Sequence, residues 1–167
     1  MNIETYTSDS SDSDSRDLKT LNYSRQGMPV EYIEDTFLNL YKTEKGCSVI
    51  ETILLNQNVL TSTPLSLCRF INLQTLDLSA NKLTSLPDIL FQMSPLKTLI
   101  VKNNLLTNDS LPKNIISKNG VLRELNLSGN LFSHFPEQLL ELKGLKYLYL
   151  GGNKIASIPK DIGKLQR

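Results

Sequence analysis

The sequence predicts an α/β solenoid: a curved stack with parallel strands on its concave face and short helical or 3-10 segments on its convex face. Three observations lead there. An eleven-residue template, apolar at places one, four, six and eleven, starts at Ile50, Leu73, Leu96, Leu122 and Leu145. Asparagine fills its ninth place every time, at Asn58, Asn81, Asn104, Asn130 and Asn153. Proline follows four of the five starts at one offset, at Pro64, Pro87, Pro136 and Pro159. Successive starts lie 23, 23, 26 and 23 residues apart, and a fixed period of this length marks stacked units.

Residues 1–17, "MNIETYTSDSSDSDSRD", hold five acidic residues against Arg16. With so few large apolar groups they are expected to form a disordered, acidic, serine-rich leader. Ser11, with Asp14 three residues on, resembles an acidophilic kinase site; a solvated leader is the plainer reading. Residues 18–49 are expected to supply a degenerate first repeat and an amino-terminal capping helix. "LKTLNYSRQGM", from Leu18, keeps the apolar places but has Gln26 at the ninth. "PVEYIEDTFLNLYKTEKG" places Tyr32, Ile33, Phe37, Leu40 and Tyr41 on one helical face, with Gly46 past its end. A helix there would cover the open edge of the array.

Residues 50–167 are expected to form five repeats. Within each strand the fourth and sixth places point to one side and the third and fifth to the other, because side chains alternate. The first pair fills the core. The ninth-place asparagine sits where the chain turns, and a buried amide there can satisfy backbone groups of its own repeat and a neighbour's. Proline suits the first turn of the short segment that follows. Three residues beyond each proline stand Leu67, Leu90, Leu139 and Ile162, and three beyond those Phe70, Met93, Leu142 and Leu165, so one face turns toward the strands. Each unit buries about five large side chains at roughly 1.5–3 kcal/mol apiece before entropy, and only by stacking.

The 26-residue interval sets Leu111 and Pro112 two places late, so "TNDS", residues 107–110, is expected to bulge. A further start would fall one residue past Arg167. A carboxy-terminal cap is therefore expected to be absent, leaving an edge along Leu148–Leu150 open to self-association.

The template, met five times over residues 50–167, resembles the leucine-rich repeat family. That resemblance implies the solenoid fold and a role in binding other proteins. A narrower likeness within the family, carried by "TLIVKNNLLTNDSLPKNI", "LNLSGNLFSHFPEQLLELKGLKYLYLGGN" and "LNYSRQ", implies a substrate-recognition subunit of a ubiquitin ligase. "SLP" followed by an apolar third residue resembles instead the repeats of signalling scaffolds, and implies regulation of a small GTPase or phosphatase.

Several classes are set aside. No run reaches the roughly 18 apolar residues of a membrane span, and the amino terminus has no basic, apolar secretory pattern. A cytoplasmic protein without membrane contact is expected, and Asn22, Asn108 and Asn126, in Nx[ST] triplets, are not expected to be glycosylated. Cys47 and Cys68 read as reduced thiols, Cys68 buried within "LSLCRFI". His134 stands alone in a turn, and "GGN", residues 151–153, lacks the lysine of a phosphate loop. With no nucleophile–base pair, metal cluster or paired carboxylates, no enzyme, metal or cofactor is expected. The formal charge of +1 gives no concentrated basic face for nucleic acid.

What remains is the concave surface. Third-place residues Thr52, Thr75, Thr98, Glu124 and Tyr147 and fifth-place residues Leu54, Asp77, Ile100, Asn126 and Tyr149 are expected to point outward there. Leu54, Ile100, Tyr147 and Tyr149 are more apolar than a solvated sheet requires, and tyrosines serve well as interface anchors. Lys102 and Lys146 lie beside the strip, with Asp77 and Glu124 of opposite sign, to orient a mixed-charge protein partner. The partner-binding set expected is thus Thr52, Leu54, Asp77, Ile100, Lys102, Glu124, Asn126, Tyr147 and Tyr149.

Overall fold

A computed structural model describes residues 19–113, 115 and 121–165; the acidic leader, and with it Ser11, lies outside them. Six three-residue strands form one parallel sheet in chain order: β1 (Thr20–Asn22), β2 (Thr52–Leu54), β3 (Thr75–Asp77), β4 (Thr98–Ile100), β5 (Glu124–Asn126) and β6 (Tyr147–Tyr149). The register holds template place against template place. Leu21, Ile53, Leu76, Leu99, Leu125 and Leu148 stand side by side. The degenerate copy from Leu18 is therefore a structural repeat, and the Gln26 amide donates to the Asn58 side chain at 3.2 Å.

Fourth- and sixth-place residues fill the core of the curved α/β solenoid. Ile53, Leu55, Leu76, Leu78, Leu99, Val101, Leu125 and Leu127 are completely buried. Convex segments follow the prolines. The first, third and fourth are 3-10 turns at Leu65–Arg69, Glu137–Glu141 and Lys160–Leu165; the second is the α-helical turn α3 (Asp88–Gln92, taking α1 and α2 as given below). Leu67, Leu90, Leu139, Phe70, Leu142 and Leu165 turn inward as the spacing requires, with Met93 and Ile162 half-buried.

The ninth-place asparagines bind consecutive repeats together. Asn104 accepts the Leu83 amide at 3.0 Å and donates to Leu78 O at 3.1 Å, both in the preceding repeat, and to Val101 O at 3.0 Å in its own. Asn81, Asn130 and Asn153 repeat this pattern. An isolated buried amide would cost free energy; here every polar atom is used.

One regularity escapes the sequence. The eighth place is left-handed in all six repeats, with φ of 52–60° at Arg25, Gln57, Ala80 and Asn103 and of 66° and 70° at Gly129 and Gly152. Non-glycine residues sit there at a cost of about 1–2 kcal/mol each. The turn imposes this conformation whatever side chain occupies it, in the first repeat too, where Gln26 stands at the ninth place.

The amino-terminal region is heavier than a repeat. Helix α1 (Val30–Leu40) buries Ile33 and Phe37, while Tyr32 and Leu40, expected on the same face, are exposed. A second short helix, α2 (Glu44–Ser48), contains Gly46 rather than ending before it. Between β1 and β2 in the chain, α1 packs on the convex side against the 3-10 turn Leu65–Arg69. The Glu34 carboxylate accepts the amides of Leu65 and Ser66 there, closing that turn's free amino end. Rings of Tyr23, Phe37, Tyr41 and Phe70 meet edge to face at centroid distances of 5.1–6.3 Å, a favourable arrangement for aromatic quadrupoles. Burial, then the neighbouring Tyr23, raises the Tyr41 pKa above the ordinary phenol value.

Two expectations need correction. Cys68 is exposed, and Cys47 is the buried thiol. The 3-10 turn is the reason: with Leu67 and Phe70 inward at a spacing of three, the residue after Leu67 faces out. Residues 107–110 do not simply bulge. Asn108–Ser110 is a 3-10 turn that absorbs the two extra residues, with Ser110 buried and its hydroxyl donating to Thr84 O.

Candidate protein-binding face

Strand alternation puts the third- and fifth-place side chains on the concave face, and the parallel register aligns them in two rows. Thr20, Thr52, Thr75, Thr98, Glu124 and Tyr147 form one; Asn22, Leu54, Asp77, Ile100, Asn126 and Tyr149 form the other. Neighbours in a row are separated by one strand spacing, about 4.8 Å. Eight of the nine residues singled out from sequence lie in these rows, and Lys102 stands two residues beyond Ile100 in the adjoining turn. Thr20 and Asn22 extend both rows; the signal for them was the degenerate copy from Leu18.

Exposure differs along the rows. Tyr147 and Tyr149 are 57% and 44% exposed, whereas Leu54 and Ile100 are half-buried between neighbouring strands. The apolar strip is therefore weighted toward β6. Lys102 and Lys146 are exposed beside it, and Asp77 and Glu124 are half-buried within it.

The polar fifth-place residues have a second task. Asn22, Asp77 and Asn126 accept the backbone amides of Ser24, Ser79 and Ser128, two residues on, at 3.1, 2.8 and 3.0 Å. These side-chain turns steady the strand ends. Leu54, Ile100 and Tyr149 occupy the same place in the alternate strands and provide no such acceptor.

Along the starts of the strands, Lys19 pairs with Glu51 at 2.6 Å, Lys97 donates to Gln74 at 2.8 Å, and Arg123 donates to Gly144 O at 2.9 Å. A separate open groove of about 1060 Å³ lies where the odd repeat meets the next, lined by Asn108, Asp109, Lys113, His134, Glu137 and Glu141 among others. Asn108 ties its walls together, donating to His134 O at 2.8 Å and accepting the Ser133 amide at 2.9 Å. Among the described residues no group of three or more histidine, cysteine, aspartate or glutamate side chains could hold a metal, and no helix is long and apolar enough to cross a membrane.

Two family models described as leucine rich repeat match residues 71–132 and 144–165. A probable serine/threonine-protein kinase, roco9, of Dictyostelium discoideum is 42% identical over 60 residues, which are 36% of this chain and 2% of the kinase. A solved leucine-rich repeat protein of Leptospira interrogans superposes with a TM-score of 0.65 at 34% identity, covering 73% of this chain and 30% of the other. The leucine-rich repeat ectodomain of the receptor kinase SOBIR1 from Arabidopsis thaliana gives 0.50 at 26% identity, covering 65% and 59%. This chain thus spans less than two thirds of the length of each of these relatives.

Proposed function

The chain belongs to the leucine-rich repeat family, whose domains generally mediate contacts between proteins, and from that premise we propose that it binds a partner protein through its concave face. The observation that carries the reading is the pair Tyr147 and Tyr149, exposed together on β6, with Tyr149 in one row with the half-buried Leu54 and Ile100. Large rigid rings with one polar tip are the side chains that dominate protein interfaces. Thr52, Asp77, Lys102, Glu124 and Asn126 supply the polar surround in this reading. The role is one of binding, not catalysis, and the setting is cytoplasmic. The two cysteines, both free thiols, support that setting.

The test is a quantitative affinity purification of the full chain beside its Tyr147→Ala and Tyr149→Ala variants. A direct partner should be retained by the parent, with each substitution costing about 2 kcal/mol of its affinity. An unchanged set of bound proteins would discard the assignment.

A finer reading follows from the likeness to the amino-terminal part of leucine-rich repeat-containing protein 58: a substrate-recognition subunit of a ubiquitin ligase. The kinase names among the relatives support a setting in signalling, where the alternative reading is a scaffold or regulator of a small GTPase or phosphatase. Cullin components in the same purification would select the first, a GTPase or phosphatase the second. Half-burial of Leu148 on β6 and of Leu150 just beyond it supports a second copy of the chain as a further partner; a sedimentation weight independent of concentration would remove it.

A further inference from the structure

The concave face has a period of two repeats that the eleven-residue template does not contain. The fifth place alternates strictly from β1 to β6: Asn22, Leu54, Asp77, Ile100, Asn126, Tyr149. In β1, β3 and β5 the polar side chain accepts the seventh-place amide, of Ser24, Ser79 and Ser128. Since those side chains stand on the concave face, the amides they capture are directed toward it. In β2, β4 and β6 the equivalent amides belong to Asn56, Lys102 and Gly151, and the leucine, isoleucine and tyrosine two residues earlier offer them no acceptor. The surface is therefore striped. On every second strand an apolar side chain stands beside a backbone donor left to whatever occupies the face.

Resting on the concave-face reading above, we infer that the occupant is a proline-rich segment of a partner protein, lying across the strands as a polyproline II helix. The spacing selects it. Stripes on alternate strands are about 9.6 Å apart, and one three-residue turn of polyproline II advances about 9.3 Å. An extended strand brings side chains to one side every 6.7 Å or so and falls out of step after one stripe. An α-helix returns a side chain to one side after two turns, about 10.5 Å, and drifts from the stripes by about 0.9 Å at each step. The donors select it as well. A polyproline II backbone has no internal hydrogen bonds, so its carbonyls are available to Asn56, Lys102 and Gly151, whereas those of a helix are already engaged. Exposed tyrosines and apolar grooves suit such ligands because the segment is ordered before it binds.

The test uses the full chain as bait for displayed random 16-residue peptides. The affinity of an enriched peptide is then measured by fluorescence anisotropy against the parent, Tyr149→Ala and Ile100→Thr, the exposed Tyr149 keeping the test valid should Ile100→Thr lower stability. The expected result is enrichment of peptides with proline or an apolar residue at every third position. Affinity should fall at least tenfold with Tyr149→Ala and at least tenfold when one residue is inserted between two of those positions. Peptides that depend on Tyr149 but repeat every two or every three to four residues, or that tolerate the insertion, would overturn the polyproline II assignment and leave the concave-face reading standing. Failure to enrich any peptide sensitive to Tyr149→Ala would overturn the polyproline II assignment, while the concave-face reading falls only if the purified partner is indifferent to Tyr147→Ala and Tyr149→Ala.

Discussion

The two outermost repeats use one template and end differently. At the amino-terminal side Leu21 is buried although, among the described residues, β1 has a strand on one flank only. At the other side Leu148 and Leu150 are half-buried, while Leu125 and Leu127, one repeat earlier, are closed to solvent. The first repeat carries α1 and its aromatic cluster where, among the described residues, the last carries only the 3-10 turn Lys160–Leu165. Phe37 reaches Tyr23 of the first repeat and Phe70 of the second, so a single side chain ties these two repeats together. Burial of a template leucine thus belongs to its neighbours and not to the template.

The largest effect should come from removing that side chain. Phe37→Ala is expected to destabilise the protein by about 3–5 kcal/mol, and Ile162→Ala, in the half-buried last segment, by no more than about 1–2; equal shifts in urea midpoint would break the comparison. The asparagine ladder sharpens it. Asn104→Ala leaves the buried Leu83 amide without a partner and removes one of the two donors to each of the Leu78 and Val101 carbonyls, a loss of about 2–4 kcal/mol. Asn153→Ala should lose less, because Asn153 is half-buried and water can replace part of what is lost.

The eighth place gives a smaller contrast. A Cβ at Gly129 would overlap the Asn103 side chain, while one at Gly152 meets only the Gly129 backbone at 3.3–3.4 Å. Gly129→Ala should therefore cost about 2 kcal/mol or more and Gly152→Ala about 1, both residues being left-handed. Smallest, and of opposite sign, is Thr63→Val. The Thr63 hydroxyl is buried without a hydrogen-bond partner, where the following repeat has Leu86 in the same template place. Its removal should raise stability by about 1 kcal/mol, measured as a higher thermal midpoint.

The spacing of leucine and asparagine made the sheet order, the register and the inward face of the convex turns legible, because those features follow from a side-chain period imposed by the backbone. Cys68 was misplaced because an apolar run does not distinguish a 3-10 turn from a helix, and the two point successive residues differently. The left-handed eighth place was invisible because Arg25, Gln57, Ala80 and Asn103 share no chemistry; the conformation belongs to the turn and not to the residue in it. Membership of the concave rows was readable from alternation. Their graded exposure was not, since Leu54 and Ile100 are shielded by strands on both sides and Tyr147 and Tyr149 by one.

The asparagine ladder also has a direction. Among the described repeats each ninth-place amide reaches back, taking up a donor and a carbonyl of the unit made before it. A repeat's turn is therefore completed by the asparagine of the repeat after it, and the bond that joins two modules is written in the sequence of the second.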